Sequence, residues 1–415
     1  MNYISTRGKT APIESAYAAA GIYAPDGGLY VPEEMPRRLN DEDFFCLAWL
    51  SHRRRFAYLL GKFMKEMYIG YAAMFGDKAF DAKWLKEDTV LSAPPQLALR
   101  PLPIIFEYNL AASAKGKPYT YGYGVEPDRE RRPLIIVPSM GEEAHALIPA
   151  VKELTNGKIA VFYPKQALSG HRRSLLEAKQ DKDVLVQGID SSINEISHSI
   201  TQFMKRTQAA GLAEKYGLYP MRADSQSWFC IVAQAARFIS AYCEMIIKNH
   251  IGLGEWINLS IPYEDTLETA VSAFYAKELG MNADKIFCPA PADSLLNKLI
   301  TTGKLDASCV CDGTFIPVAL ERLLYALGIS INDVLAKLSD DGHFMLPKDA
   351  VKNLDDAFYF CYPDDVETGG QKTLLIEGAS PLPPISASAD KLKGAGPIAL
   401  EDITDAIARF MRQGF

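Results

Sequence analysis

From Pro101 onward the chain alternates between two kinds of segment, and that alternation limits the fold more than any other feature. Short apolar runs (PIIFEY, PLIIVPSM, KIAVFYPK, DVLVQGID) are separated by stretches with helical spacing such as EEAHALIPAVKELTNG. Parallel neighbouring strands need a crossover between them, and a helix is the usual one, so the pattern reads as β-α-β units around a parallel sheet. A second series follows, with a long helix through SWFCIVAQAARFISAYCEMIIKN, a strand at EWINLSIP, a helix at LETAVSAFYAKELG and a strand at DKIFCPA. Two α/β domains in tandem are expected.

What precedes Pro101 has a different character. In CLAWLSHRRRFAYLLGKFMKEMYIGYAAMF the apolar positions recur at helical spacing, so residues 1–98 read as a mostly helical unit after a short strand. The expected organisation is that unit, a small α/β domain over 99–215, and a large α/β domain over 216–415 that closes on a helix at LEDITDAIARFMRQGF. The segment EGASPLPPISASADKLKGAGP before that helix is rich in Pro, Ser and Gly and reads as a loop.

Composition narrows the function classes. With 415 residues and 48% hydrophobic content the chain can bury a sizeable core, and 44 basic against 51 acidic residues, a net charge of −7, leave no broad basic surface for nucleic acid. No apolar run is long enough to span a bilayer, and MNYISTRGKTAPIE has no apolar core before a cleavage site, so a cytoplasmic protein without membrane contact is expected. The seven cysteines are scattered, and Cys309-Val310-Cys311 leaves one residue between thiols where zinc sites usually leave two to four. The six histidines show no HExxH spacing, so no metal is expected.

Two stretches near the start, YISTRG (Tyr3 to Gly8) and APDGGLYVPE (Ala24 to Glu33), resemble the N-terminus of threonine synthases. Physically, Asp26-Gly27-Gly28 is a tight turn that feeds Leu29 to Val31 into an extended segment, which is a scaffold role. The likeness continues through VFYPKQALSGHRR (Val161 to Arg173) and VALERLLYALG (Val318 to Gly328). It implies the type II pyridoxal-phosphate enzyme fold, similar to the tryptophan synthase β chain, with two α/β domains around parallel sheets and the cofactor between them. It further implies a lyase of amino-acid biosynthesis that converts O-phosphohomoserine to threonine and releases phosphate.

The resemblance also marks where the family's site residues should stand. Its motif HGPTxAFKD corresponds to the stretch from Phe106, which places Ser113 on the family's threonine and Lys117 on the lysine that forms a Schiff base with the cofactor. Around Lys117 the pattern has changed: Ala111-Ala112 stand for Gly-Pro, Gly116 for the phenylalanine and Pro118 for the aspartate. Proline biases the residue before it away from helical geometry, and PYTYGYGVEPDRERRP reads as a loop, with Lys115 and Lys117 as a solvated pair. The family's TSGDTG matches SMGEEA and leaves Ser139 and Gly141 as cofactor contacts. Its SxNWAR matches SQSWFC, so Ser225 and Trp228 persist while Ser227 replaces asparagine and Cys230 replaces arginine. Looser matches put Asp364 and Asp365 in place of DPHTA and Gly378 to Pro381 in place of TAHP.

The largest departure is at the family's phosphate-binding turn, GNFGN, where this chain reads SIPYEDTLETAVSAFYAKELG. Glu264, Asp265 and Thr266 stand at the start of the expected helix, where acids cap exposed donors and meet the positive end of the dipole. They would take the anion's place. The reading that follows is a threonine-synthase-like protein that has kept the fold but does not bind pyridoxal phosphate, with a small ligand in the interdomain cleft or a protein partner as its non-catalytic work. The alternatives are an active divergent lyase using Lys117, and a new activity in the same cleft with Glu142, Glu143, His145, Glu264 and Asp265 as acid-base groups.

Overall fold

The computed structural model describes residues 1–15, 23–63, 83–86, 89–92, 132–139, 157–166, 170–210, 218–222, 228–261, 267–289, 294–309, 316–361, 371–376 and 400–412, together with Ala18, Ala144, Ile148, Val151 and Leu168. In chain order the first elements are β1 (Asn2–Ser5), β2 (Ile13–Glu14), β3 (Tyr30–Pro32), α1 (Asp41–Ala48), α2 (His52–Gly61), β4 (Lys83–Lys86) and β5 (Thr89–Ser92). Then come β6 (Arg132–Pro138), β7 (Lys158–Pro164), α3 (Gly170–Glu177), β8 (Val184–Ile189), α4 (Ile193–Ala210), β9 (Leu218–Arg222), α5 (Trp228–Ile247), β10 (Ile257–Ser260), α6 (Leu267–Glu278) and β11 (Ala283–Pro289). The last are α7 (Leu295–Thr302), β12 (Lys304–Asp306), α8 (Val318–Ala326), α9 (Ile331–Asp341), β13 (His343–Met345), α10 (Lys348–Ala357), β14 (Phe358–Cys361), β15 (Thr373–Ile376) and α11 (Leu400–Arg412).

The chain divides by packing into two compact units, and the division runs differently from the tandem one expected from the sequence. One unit joins Met1–Ala18 and Ile22–Ala98 to Trp228–Gly378, and the other joins Ala19–Gly21 and Leu99–Ser227 to Ala379–Phe415.

The first unit is built on a sheet of order β14-β11-β10-β15-β5-β4, in which every pairing is parallel except β4 with β5. Its strand β10 (INLS) is buried along its whole length, as a strand covered on both faces should be. The N-terminal region therefore contributes more than helices. Strand β5 lies parallel to β15, pairing Thr89 with Thr373 and Ser92 with Ile376, and so satisfies backbone groups that would otherwise form a bare edge. Helices α1 and α2 pack on α5, with Phe44 set edge-on against Tyr242 at 5.2 Å between ring centroids. Arg55 fastens this contact: its guanidinium donates to Leu47 O (2.7 Å) and Ala48 O (2.9 Å), both at the end of α1, and pairs with Glu244 of α5 at 2.6 Å. Both carbonyls lie at the C-terminal end of α1, so a buried cation there meets the negative end of the helix dipole.

The second unit holds a four-stranded parallel sheet of order β8-β7-β6-β9. Strand β7 is buried at all seven positions. The final helix α11 completes this unit's core: Ile403, Ile407, Phe410 and Met411 join Leu134 and Ile136 of β6 and Ile196, Ile200 and Phe203 of α4. The (i, i+4) spacing from 403 to 407 to 411 is what puts those side chains on one helix face. Each such side chain, fully buried, contributes roughly 1.5–3 kcal/mol. Lys158 at the start of β7 lies over the Phe410 ring at 4.7 Å and ties the helix to the sheet through a cation–π contact.

Candidate functional site

In open parallel sheets, ligands bind beyond the carboxyl ends of the strands, at the point where the strand order reverses. Each sheet here has one such point. In the second unit the chain runs from β6 through β7 to β8 on one side and returns to place β9 on the other side of β6. In the first unit it runs from β10 through β11 to β14 and returns with β15 on the other side of β10. A serine stands at the end of each central strand: Ser139 directly follows β6, and Ser260 ends β10.

Ser139 is buried, its N–H donates to Phe162 O (3.0 Å), and its Oγ accepts from the Ala144 N–H at 3.3 Å. That bond caps the backbone turning away from β6, so the hydroxyl of the one described residue among the expected cofactor contacts serves the protein's own backbone. Ser260 differs, because its Oγ is buried and has no hydrogen-bond partner among the described residues. Residues 262–266 follow it, and α6 then opens with Leu267 and Glu268, an acid in the helix's first turn. Ser272 Oγ donates back to Glu268 O at 2.8 Å.

Trp228, at the start of α5, sits in an aromatic box. Its ring meets Tyr275 of α6 at 5.0 Å and Phe63 at 5.9 Å, both edge to face, and the wholly buried Arg322 of α8 lies 5.8 Å from its centroid. Burial pushes the Tyr275 hydroxyl well above the ordinary tyrosine range, with the Arg322 charge opposing it, so that phenol stays protonated.

A second polar cluster in the same unit unites three of the motifs read from the sequence. Glu321 of α8 is buried, accepts from Thr6 Oγ1 at 2.5 Å and pairs with Arg7 at 3.2 Å, although more than 300 residues separate them in the chain. Thr6 also bonds the glycine turn: its N–H donates to Leu29 O (2.9 Å) and its Oγ1 accepts from Leu29 N–H (2.8 Å). Asp26 accepts from Ser5 Oγ (2.7 Å), Gly28 N–H (3.0 Å) and Lys9 N–H (3.0 Å). Burial works against its ionisation, but those bonds and the Arg7 charge outweigh it and hold the carboxyl below its ordinary range. Gly27 has φ +83°, and a β-carbon at Gly28 would lie 2.2 Å from Ser5 Oγ and 3.0 Å from the Arg7 nitrogen, so both glycines are required.

Of the residues singled out from the sequence, Lys117, Ser113, Gly141, Ser227, Glu264, Asp265 and Thr266 lie outside the described residues, as do Glu142, Glu143 and His145. Among the described residues no group of three or more His, Cys, Asp or Glu is placed to hold a metal ion, and no helix is long and apolar enough to cross a membrane. Glu321, Arg322 and Ser260 were not read as special from the sequence. For the first two the signal was present in VALERLLYALG, a helix whose Glu-Arg pair falls on the buried side.

Residues 2–70 match the family model described as the threonine synthase N terminus. The human protein threonine synthase-like 1 is 22% identical over 360 residues, 81% of this chain and 48% of that protein, and its mouse counterpart is 24% identical over 68% of this chain and 39% of that protein. The pyridoxal-phosphate-bound threonine synthase of Brucella melitensis superposes over 99% of this chain and 100% of its own, with a TM-score of 0.73 at 15% identity. The chain is similar to the threonine synthases, through its N-terminal residues and through its fold. Its fold is that of the threonine synthases, and the Escherichia coli enzyme aligns over 99% of this chain and 91% of its own with a TM-score of 0.61 at 14% identity. The chain spans about half or less of the length of the threonine synthase-like 1 proteins it matches.

Proposed function

We propose that this chain keeps the scaffold of the threonine synthases but has given up pyridoxal phosphate and the release of phosphate from O-phosphohomoserine. Its remaining work is then non-catalytic, the binding of a small ligand or of a protein partner. The observation that carries this reading is the start of α6. That helix begins at Leu267 with Glu268 in its first turn, and Glu264, Asp265 and Thr266 immediately precede it in the chain. A phosphate-binding helix start offers free backbone donors and the positive end of a dipole. Here the sequence puts acids next to that end, and Glu268 lies in the first turn. One carboxylate about 5 Å from a phosphate dianion, at an effective dielectric of about 20, repels it by roughly 6 kcal/mol before screening. This charge pattern in the sequence supports a helix start that does not hold the cofactor's phosphate.

Two further features support the same reading. The Ser139 hydroxyl caps its own backbone at 3.3 Å. Lys117 is followed by Pro118 and stands two residues from Lys115, with no apolar run around it to depress its pKa in the way a reactive lysine needs.

The test is phosphate release from O-phosphohomoserine, with and without added pyridoxal phosphate. Release no faster than in a protein-free control is expected, because the elimination needs the electron sink that the cofactor supplies. Cofactor-dependent release that disappears in Lys117→Ala would replace this reading with that of an active, divergent lyase.

A further inference from the structure

We draw no further inference here: the strongest candidate, the exposed aromatic surface that Phe45 and Trp49 form on α1, is an apolar face, and nothing in the structure shows what covers it.

Discussion

The cluster around Glu321 and the stretches that should serve the cofactor have diverged to different degrees. In the cluster, the N-terminal motif, the glycine turn and α8 are joined by buried hydrogen bonds to one carboxylate, and each residue the bonds need is in place. At the start of α6 and around Lys117 the family's pattern is largely replaced, with acids where a glycine-rich turn should be and proline directly after the lysine. Exchanging one partner of a buried network leaves the other unsatisfied, so the cluster resists change. A site relieved of its ligand carries no such cost. That contrast is what the proposed separation of fold and chemistry rests on.

The comparison breaks first at Glu321. Glu321→Ala leaves Thr6 and Arg7 without their buried acceptor and should destabilise the protein by about 3–5 kcal/mol, measured by urea unfolding. A loss below about 1 kcal/mol, the value of an exposed pair, would mean that the cluster does not hold the N-terminal motif to α8. Ser139→Ala should cost about 1 kcal/mol, the value of one lost cap. Replacing Glu264 and Asp265 together with asparagine, which removes both charges, should raise affinity for sulfate or phosphate. Unchanged anion binding would remove the acids from the account.

The smallest effect concerns acid. Asp26 is held below its ordinary value of 3.8, so the stability it contributes is complete above that value and is lost as the pH falls through its lower, folded value. Asp26→Asn should flatten this part of the acid limb and leave the dependence near neutral pH unchanged. A variant whose stability instead diverges from the wild type between pH 6 and about 8 would assign the titration to another group.

The architecture was legible because strand and helix periodicity alternate locally: β6, β7, β8, β10 and β11 fall on the runs read as strands. Two long-range features escaped that reading. Strand β5 pairs with β15 across more than 280 residues, and α11 leaves its sequence neighbours to complete the core around β6 and α4. Pairing and docking of this kind depend on which edge or apolar face elsewhere needs covering, and no local pattern records it. The candidate site divides in the same way. Thr6, Arg7 and Glu321 all lie in stretches that stood out in the sequence, but only the folded chain brings them together. Ser260 sits in a short apolar run like any other, and only the sheet order shows that it ends the central strand.

The central claim, that the scaffold persists without its cofactor, is tested most directly by titrating the purified protein with pyridoxal phosphate, recording the visible spectrum, and reducing with borohydride before mass analysis. The account predicts a colourless protein with no aldimine band and no pyridoxyl adduct at Lys117. A stoichiometric band that is absent in Lys117→Ala, with the adduct mapped to that lysine, would contradict it.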